Sequence, residues 1–375
     1  MYWWKEFDSG EVKDEWSHIK EMGFTHIRFF LLWEDFQPAP DRISIPTLNK
    51  LSKVLDIAQA LGLKVQVSLL TGNMSGLFWL PDWVSRNRKF NLFEDREVVQ
   101  AENLLLQTVA QAIGKHPALH SWDLCNELDQ INQPRSARTG REWMTRLAKT
   151  LHSHAPNLPV TYGTHYPSFV TKNGLRLDHM GQVLDIVSVH AWSVYFPVSV
   201  EPFDLRTVVF TFLLASWLAG KAVFIQELGL PTSPGRFSEE WINDDFLGQK
   251  KKIYLASEEG QAHFIEQSII ELKKVGCPGV FLWCYADYDQ SIWNRPPLDR
   301  AKRERFFGII RSDGSEKPVV EILQKTIRLK KNGQIKRISD AHRRFPAVNP
   351  DQYYKDPSKN FQRFWESYSS GSPIQ

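Results

Sequence analysis

The chain has 375 residues, of which 42% are hydrophobic and 14 are tryptophan, and its formal net charge is +3. This length can hold one large globular domain, and so small a net charge argues against a nucleic-acid-binding protein. The three cysteines, Cys125, Cys277 and Cys284, lack metal-ligand spacing, so we expect no disulfide framework, no metal site and no cofactor.

Along the chain, segments with apolar residues at helical spacing alternate with short continuous apolar runs. In chain order the pattern predicts a helix over 11–22, a strand over 25–33, a helix over 47–61, a strand over 63–70, a helix over 97–113, a strand over 118–124, a helix over 141–152, strands over 159–163 and 183–190, a helix over 205–218, a strand over 222–226, a helix over 260–275, a strand over 279–285 and a helix over 317–329. The strands are apolar on both faces, as parallel strands covered by helices are. This alternation predicts the α/β class and a (β/α)₈ barrel.

The predicted strands number seven, one fewer than such a barrel needs. Either residues 2–4 are a short remnant of the first strand, or the chain begins downstream of that strand. We expect the second, with a natural protein that extends upstream of Met1. We also expect the barrel to span 1–329 and residues 330–375 to form an extension that packs on it or is partly disordered.

A basic segment lies near the carboxyl end of the predicted barrel. Residues 325–345 hold eight lysines and arginines and a single acid, which leaves the rest of the chain slightly acidic. We interpret this segment as a solvated face. The amino-terminal residues lack the apolar core of a signal peptide, and the longest apolar run, 208–219, is too short to span a bilayer. We therefore expect a cytoplasmic protein without a membrane partner.

Two glutamates follow strand-like runs. Glu127 ends the run 121–126, and Glu227 ends the run 222–226. A carboxylate is costly to bury without partners, and barrel enzymes hold their chemistry at the carboxyl ends of strands. Other polar and aromatic side chains fall at the same kind of position: Arg28, Trp33, Thr71, Asn73, Asn126, His165, His190, Trp192, Trp283 and Asp287. So many such groups at strand ends predict one functional rim.

This constellation resembles the retaining (β/α)₈ glycoside hydrolases of clan A, in particular the cellulase- and endo-β-mannanase-like proteins of family 5. The resemblance covers roughly residues 25–329. In that clan an Asn-Glu pair ends the fourth strand, which implies that Glu127 is the acid/base and that Asn126 binds the sugar 2-hydroxyl. A glutamate ends the seventh strand as nucleophile, which implies this role for Glu227.

The resemblance also implies binding residues. Arg28 matches the arginine that orients the nucleophile, His190-Ala191-Trp192 matches a His-x-aromatic motif, and Trp283 matches a tryptophan that floors the subsite. Trp33 and His165, at two further strand ends, complete the residues that we expect to contact a carbohydrate substrate. The oligomeric state stays open.

The sequence departs from family 5 at two places. Trp192 stands where that family usually has tyrosine, so Tyr195 is an alternative partner for the nucleophile. The segment Thr71-Gly72-Asn73 replaces a histidine.

Three functions therefore remain open. The chain can be a retaining β-glycosidase acting on mannan- or glucan-type sugars. It can be a catalytically impaired carbohydrate-binding barrel, or a transglycosylase that uses the same residues.

Overall fold

The computed structural model describes residues 1–86, 90–198, 202–328, 342 and 345–370. Its helices are α1 (Ser9–Glu21), α2 (Trp33–Phe36), α3 (Ile45–Ala60), α4 (Asp82–Ser85), α5 (Arg96–Ile113), α6 (Ala137–His154), α7 (Pro167–Val170), α8 (Leu177–Val183), α9 (Leu205–Ala219), α10 (Glu258–Lys274), α11 (Pro318–Arg328), α12 (Pro350–Lys355) and α13 (Pro357–Ser369). Its strands are β1 (His26–Phe30), β2 (Lys64–Thr71), β3 (Asn73–Met74), β4 (Leu77–Phe78), β5 (Leu119–Asn126), β6 (Val160–Thr164), β7 (Val187–His190), β8 (Val223–Leu228), β9 (Glu240–Phe246), β10 (Gln249–Leu255) and β11 (Val280–Leu282).

Seven strands form one sheet in the order β1-β2-β5-β6-β7-β8-β11. Strand β1 pairs in parallel with β2, β2 with β5, β5 with β6, and β8 with β11. These are the seven strands that the sequence predicts, so the α/β class is confirmed. Two further pairs, β3–β4 and the antiparallel hairpin β9–β10, lie outside this sheet and were not predicted.

The amino-terminal residues do not add a strand to the sheet. Residues 3–5 form a turn, so the remnant strand considered for residues 2–4 is not there. The Trp4 indole instead donates a hydrogen bond of 2.8 Å to the carbonyl of Phe30, at the end of β1. The Trp4 ring also meets Phe36 edge-on, with ring centroids 4.9 Å apart. This segment therefore packs beside β1 through the aromatic ring of Trp4.

Contacts divide the chain into two compact units. Unit 1 comprises Met1–Met74, Phe78–Ser168 and Lys172–Val187, and unit 2 comprises Ser75–Leu77, Phe169–Thr171 and Ser188–Gln375. The predicted domain boundary at residue 329 stays a prediction.

The described carboxyl-terminal residues belong to unit 2 and pack there through aromatic side chains. Phe361 meets Phe210 of α9 with ring centroids 5.4 Å apart, and Phe364 meets Trp217 at 4.9 Å. The Tyr353 hydroxyl donates to the carbonyl of Phe169 at 3.0 Å. Most of the basic segment 325–345 lies outside the described residues.

Capping residues explain where the helices begin. The helices α3 and α6 start two and four residues before the predicted positions. The hydroxyl of Ser44 accepts from the Thr47 amide at 3.4 Å, and the hydroxyl of Ser136 accepts from the Thr139 amide at 3.1 Å. Such polar caps precede the apolar pattern, so periodicity alone places the start too late.

No helix in the described ranges is both long and apolar enough to cross a membrane.

A carboxyl group is buried between α5 and α6. Glu102 has no exposed surface. Its Oε2 accepts a hydrogen bond of 2.8 Å from the Trp143 indole, while no described group bonds its Oε1. Burial raises the pKa of Glu102 well above its ordinary value of 4.5, and the hydrogen bond from Trp143 lowers this pKa by a smaller amount. A neutral acid at this position is therefore favoured in the folded protein.

This burial predicts a pH-dependent stability. The folded protein holds a proton on Glu102 that the unfolded chain has released, so the free energy of unfolding should fall as pH rises above 4.5, up to the raised folded pKa. One such group contributes a slope of about 1.4 kcal/mol per pH unit. Urea denaturation of Glu102→Gln should lack this slope. Glu97→Gln, an exposed change on the same helix, should keep it, and a loss in both variants would contradict the assignment.

Candidate active site

Glu127 follows the last residue of β5 and has an unusual backbone conformation. Its φ and ψ are 50° and 40°, in the left-handed region that residues other than glycine seldom adopt. Its amide donates to the carbonyl of Gly163 at 3.2 Å, and its carbonyl accepts from the amide of Gln130 at 3.1 Å. Strained backbone of this kind persists where surrounding structure imposes it, often at functional sites.

Gly72 allows this strand end to form. Its amide donates to the carbonyl of Asn126 at 3.0 Å. A Cβ at position 72 would lie 2.6 Å from that same oxygen and 2.8 Å from the Cα of Leu128. Only glycine fits this gap, so the backbone after β2 can approach the residues on both sides of Glu127.

Two amide side chains hold the Glu127 carboxylate, which is 5% exposed. Asn73 donates to its Oε2 at 2.8 Å, and Gln130 donates to the same oxygen at 2.5 Å. The Gln130 amide nitrogen also lies 3.3 Å from Nδ1 of His165, whose Nε2 lies 3.4 Å from the buried Asp129. His165, predicted to contact substrate, is thus placed beside Glu127 through Gln130.

Asn126 and Arg28 belong to the same polar group. The Arg28 guanidinium donates to Asp123 at 2.8 Å and to the side-chain oxygen of Asn126 at 2.5 Å. The amide of Asn126 in turn donates to the carbonyl of Asn73 at 2.6 Å. The structure therefore brings Arg28, Asn126 and Glu127 together in unit 1. The predicted action of Arg28 on Glu227 stays a prediction.

Trp33 does not occupy the predicted position. Strand β1 ends at Phe30, and Trp33 begins the short helix α2. Its side chain has no exposed surface, its indole donates to Gln37 at 2.7 Å, and its ring meets Trp83 edge-on at 5.6 Å. Trp33 therefore packs the interior of unit 1, and its predicted contact with a substrate stays a prediction.

In unit 2, Glu227 lies near the end of β8 beside His190. Nδ1 of His190 is 3.2 Å from Oε2 of Glu227, and its Nε2 is 3.3 Å from the side-chain oxygen of Gln226. The Ala191 amide donates to the carbonyl of Glu227 at 2.9 Å, which ties this residue to the end of β7. His190 has no exposed surface. His190 is therefore placed to hold Glu227, and its predicted contact with a substrate stays a prediction.

Gly229 brings Trp192 and Trp283 close to this strand end. A Cβ at position 229 would lie 3.3 Å from the Trp192 ring and 2.2 Å from the carbonyl of Trp283. The Trp283 amide donates to the carbonyl of Leu228 at 2.9 Å, and the Trp283–Cys284 peptide bond is cis. Trp192 is 7% exposed and Trp283 is half-buried. Both predicted tryptophans therefore contact Gly229, which follows Glu227 by two positions in the chain.

Two other candidate residues have structural partners. The Tyr195 hydroxyl accepts from Arg303 at 2.6 Å, so its described hydrogen bond is not the contact with the nucleophile that the sequence left open. Asp287 pairs with Lys317 at 2.9 Å and accepts from the Gly308 amide at 2.8 Å. Burial raises the pKa of Asp287 to about 6, and Lys317 opposes that rise. We assign Asp287 to this ion pair.

Asp123, Gln130 and Arg303 also hold these strand ends, and none of the three was predicted from the sequence. Asp123 is an isolated acid inside the apolar run that Glu127 ends, and that isolation was a usable signal. Gln130 stands three residues after Glu127, a spacing that one helical turn brings together. Glu304, the next residue, pairs with Arg303 at 3.2 Å, but Tyr195 and Asp244 lie more than fifty positions away in the chain, so no local pattern marks this cluster.

Comparison with solved structures defines the class of fold. No protein-family model and no curated protein sequence matches the chain. The structure, by contrast, matches the (β/α)₈ barrels of glycoside hydrolases, which confirms the predicted fold and its resemblance to clan A.

The particular proteins that it resembles include GH5_18 proteins and a mannosidase. A GH5_18 protein from Streptomyces cattleya, solved in complex with Manβ1-4GlcNAc, is 22% identical, with a TM-score of 0.77 over 90% of this chain and 79% of that one. One from Bifidobacterium longum subsp. longum, with the same disaccharide, is 19% identical, with a TM-score of 0.75 over 88% and 76%. An exo-β-1,4-mannosidase from an Opitutaceae bacterium is 22% identical, with a TM-score of 0.74 over 88% and 57%. At these identities the likeness establishes the fold.

The close approach at Gly72 predicts that Gly72→Ala destabilises the protein. The added methyl must displace the backbone at Asn126 or Leu128, and overpacking of this kind costs about 1–3 kcal/mol. Urea denaturation measures this loss. Gly279→Ala is the matched control, because a Cβ there meets nothing within 4 Å and should change stability by less than about 0.5 kcal/mol. Equal stability of the two variants would refute the steric argument.

Proposed function

We propose that this protein is a retaining β-glycoside hydrolase in which Glu127 is the acid/base and Glu227 is the nucleophile. One observation carries the proposal. Each glutamate stands at the carboxyl end of a strand of the same seven-stranded sheet, in a fold that matches a solved exo-β-1,4-mannosidase and several GH5_18 proteins. Barrel enzymes collect their catalytic groups at this end of their strands, and retaining glycosidases need two carboxyl groups.

The reaction is a double displacement. In the first step the Glu227 carboxylate attacks the anomeric carbon while Glu127 protonates the departing glycosidic oxygen. In the second step Glu127 takes a proton from water, which attacks the glycosyl-enzyme and releases Glu227. His190 orients Glu227, and Asn126, Trp192 and Trp283 line the sugar site.

The proposed substrates carry a terminal β-linked mannosyl residue. This choice is supported by the relatives, of which two were solved with Manβ1-4GlcNAc and one is an exo-β-1,4-mannosidase. A pyranose presents an apolar C–H face, which packs on aromatic rings such as Trp192 and Trp283. The hydroxyls then find amide partners such as Asn126.

Chemical rescue tests the two assigned roles. Glu227→Ala should abolish turnover of every substrate. Glu127→Ala should still form the glycosyl-enzyme from 2,4-dinitrophenyl β-mannoside, whose leaving group needs no proton, while its hydrolysis slows by about 10²–10⁴-fold. Azide should restore turnover of Glu127→Ala and yield the β-configured mannosyl azide, because an anion attacks without a general base.

The control for this experiment is Glu97→Ala, an exposed change on α5 that should leave kcat unaltered. Formation of the α-configured azide by Glu227→Ala, with no rescue of Glu127→Ala, would reverse the two roles. Wild-type protein that binds Manβ1-4GlcNAc without hydrolysing any β-mannoside would favour the catalytically impaired barrel instead.

A further inference from the structure

A buried arginine joins the β9–β10 hairpin to the rest of unit 2. Arg303 lies in a short 3₁₀ helix, Lys302–Phe306, and is 2% exposed. Its Nη1 donates to the Asp244 carboxylate of β9 at 2.9 Å and to the Asp245 carbonyl at 2.5 Å. The backbone amides of Lys302 and Arg303 also donate to Asp244, at 2.8 and 3.1 Å. Asp244 therefore fixes the hairpin to this helix through both side chain and backbone.

The other two nitrogens of the Arg303 guanidinium have partners of their own. Nη2 lies 3.2 Å from the Glu304 carboxylate, and Nε faces Tyr195. This Nε donates to the Tyr195 hydroxyl at 2.6 Å, and the guanidinium carbon lies 5.7 Å from the centre of that ring. Phe246, the last residue of β9, packs against Tyr195 with ring centroids 5.1 Å apart. Burial raises the pKa of Tyr195, so the hydroxyl stays neutral and accepts this hydrogen bond as a phenol. Tyr195 is thus held by the arginine and by the hairpin at once.

Tyr195 in turn contacts Trp192. Their ring centroids are 6.2 Å apart, and the two residues belong to one short turn, in which the 3₁₀ helix Ser193–Tyr195 follows Trp192 directly. On its other side the Trp192 ring meets Phe307 edge-on at 5.4 Å. A continuous row of contacts therefore runs from Asp244 through Arg303 and Tyr195 to Trp192.

We propose that Arg303 is a positioning residue for the Trp192 ring, and that the β9–β10 hairpin sets the specificity of the sugar subsite that this ring lines. The proposal rests on the function proposed above, since it takes the ligand of Trp192 to be the pyranose ring of a β-linked mannosyl residue. Lysine cannot replace the arginine, because a point charge cannot bond Asp244 and Tyr195 in the same planar arrangement.

The test reads the Trp192 ring directly, by fluorine NMR of protein labelled with 5-fluorotryptophan. The resonance of Trp192 is assigned by its loss in Trp192→Phe. Arg303→Met and Arg303→Lys should each shift or broaden this resonance. The matched control is Arg305→Met, in the same 3₁₀ helix, whose guanidinium lies 4.7 Å from the Trp293 ring. That variant should move the resonance of Trp293 and leave that of Trp192 unaltered.

Kinetics with Manβ1-4GlcNAc test the role in specificity. A displaced Trp192 ring should weaken binding of the substrate and of the transition state equally. Arg303→Met should therefore raise KM about tenfold while kcat changes less than about threefold. If Arg303→Met does not fold, Tyr195→Phe replaces it. That variant keeps the Arg303–Asp244 pair and loses only the hydroxyl. It should shift or broaden the Trp192 resonance and raise KM, as Arg303→Met should.

An unmoved Trp192 resonance in folded Arg303→Met or Tyr195→Phe would overturn the positioning role. A moved resonance with an unchanged KM would overturn the role in specificity. If the wild-type protein hydrolyses no β-mannoside, the proposed function fails by itself. The resonance alone then decides whether Arg303 positions Trp192.

Discussion

The arrangement of unit 1 depends on one buried charge, the carboxylate of Asp123. This side chain has no exposed surface, and it accepts hydrogen bonds from Arg28 of β1, Ser68 of β2 and the backbone amide of Gly163 in β6. Asp123 itself belongs to β5, so four neighbouring strands meet at one carboxylate. Removing a partner from such a group leaves a buried charge uncompensated, which costs about 3–5 kcal/mol. The charge therefore fixes the mutual register of the strands just before β5 ends, and Glu127 follows four residues later.

The described hydrogen-bond partners of the two glutamates differ, and this difference suits the two roles proposed above. Amide donors from Asn73 and Gln130 surround Glu127, whereas Glu227 lies beside the imidazole of His190. Neutral amides can hold a carboxyl group in either protonation state, as an acid/base requires. An imidazole can donate to a carboxylate and keep it aligned, as a nucleophile requires. In the proposed function, such a difference in partners would let the two carboxyl groups take different roles at a single pH.

Glycines place both strand ends. Gly72 admits the backbone around Glu127, and Gly229, two residues after Glu227, admits the carbonyl of Trp283 and the ring of Trp192. In each case a side chain would collide with backbone atoms, which cannot move aside as a flexible side chain can. The polar groups near these two glycines therefore owe their positions to the absence of a Cβ as much as to their own hydrogen bonds.

The sequence by itself determined the strand–helix alternation, the seven strands of the sheet and the positions of Glu127 and Glu227 at strand ends. These features follow from apolar periodicity and from a charged residue after an apolar run, which are both local. The tertiary structure alone decided that Trp33 and His190 are enclosed, that Tyr195 bonds Arg303, and that a hairpin spans residues 240–255. The hairpin strands are rich in charge, so they carry little apolar pattern. Tyr195 and Asp244, which bond Arg303, come from distant parts of the chain, as do the partners of Asp123, and only packing brings them together.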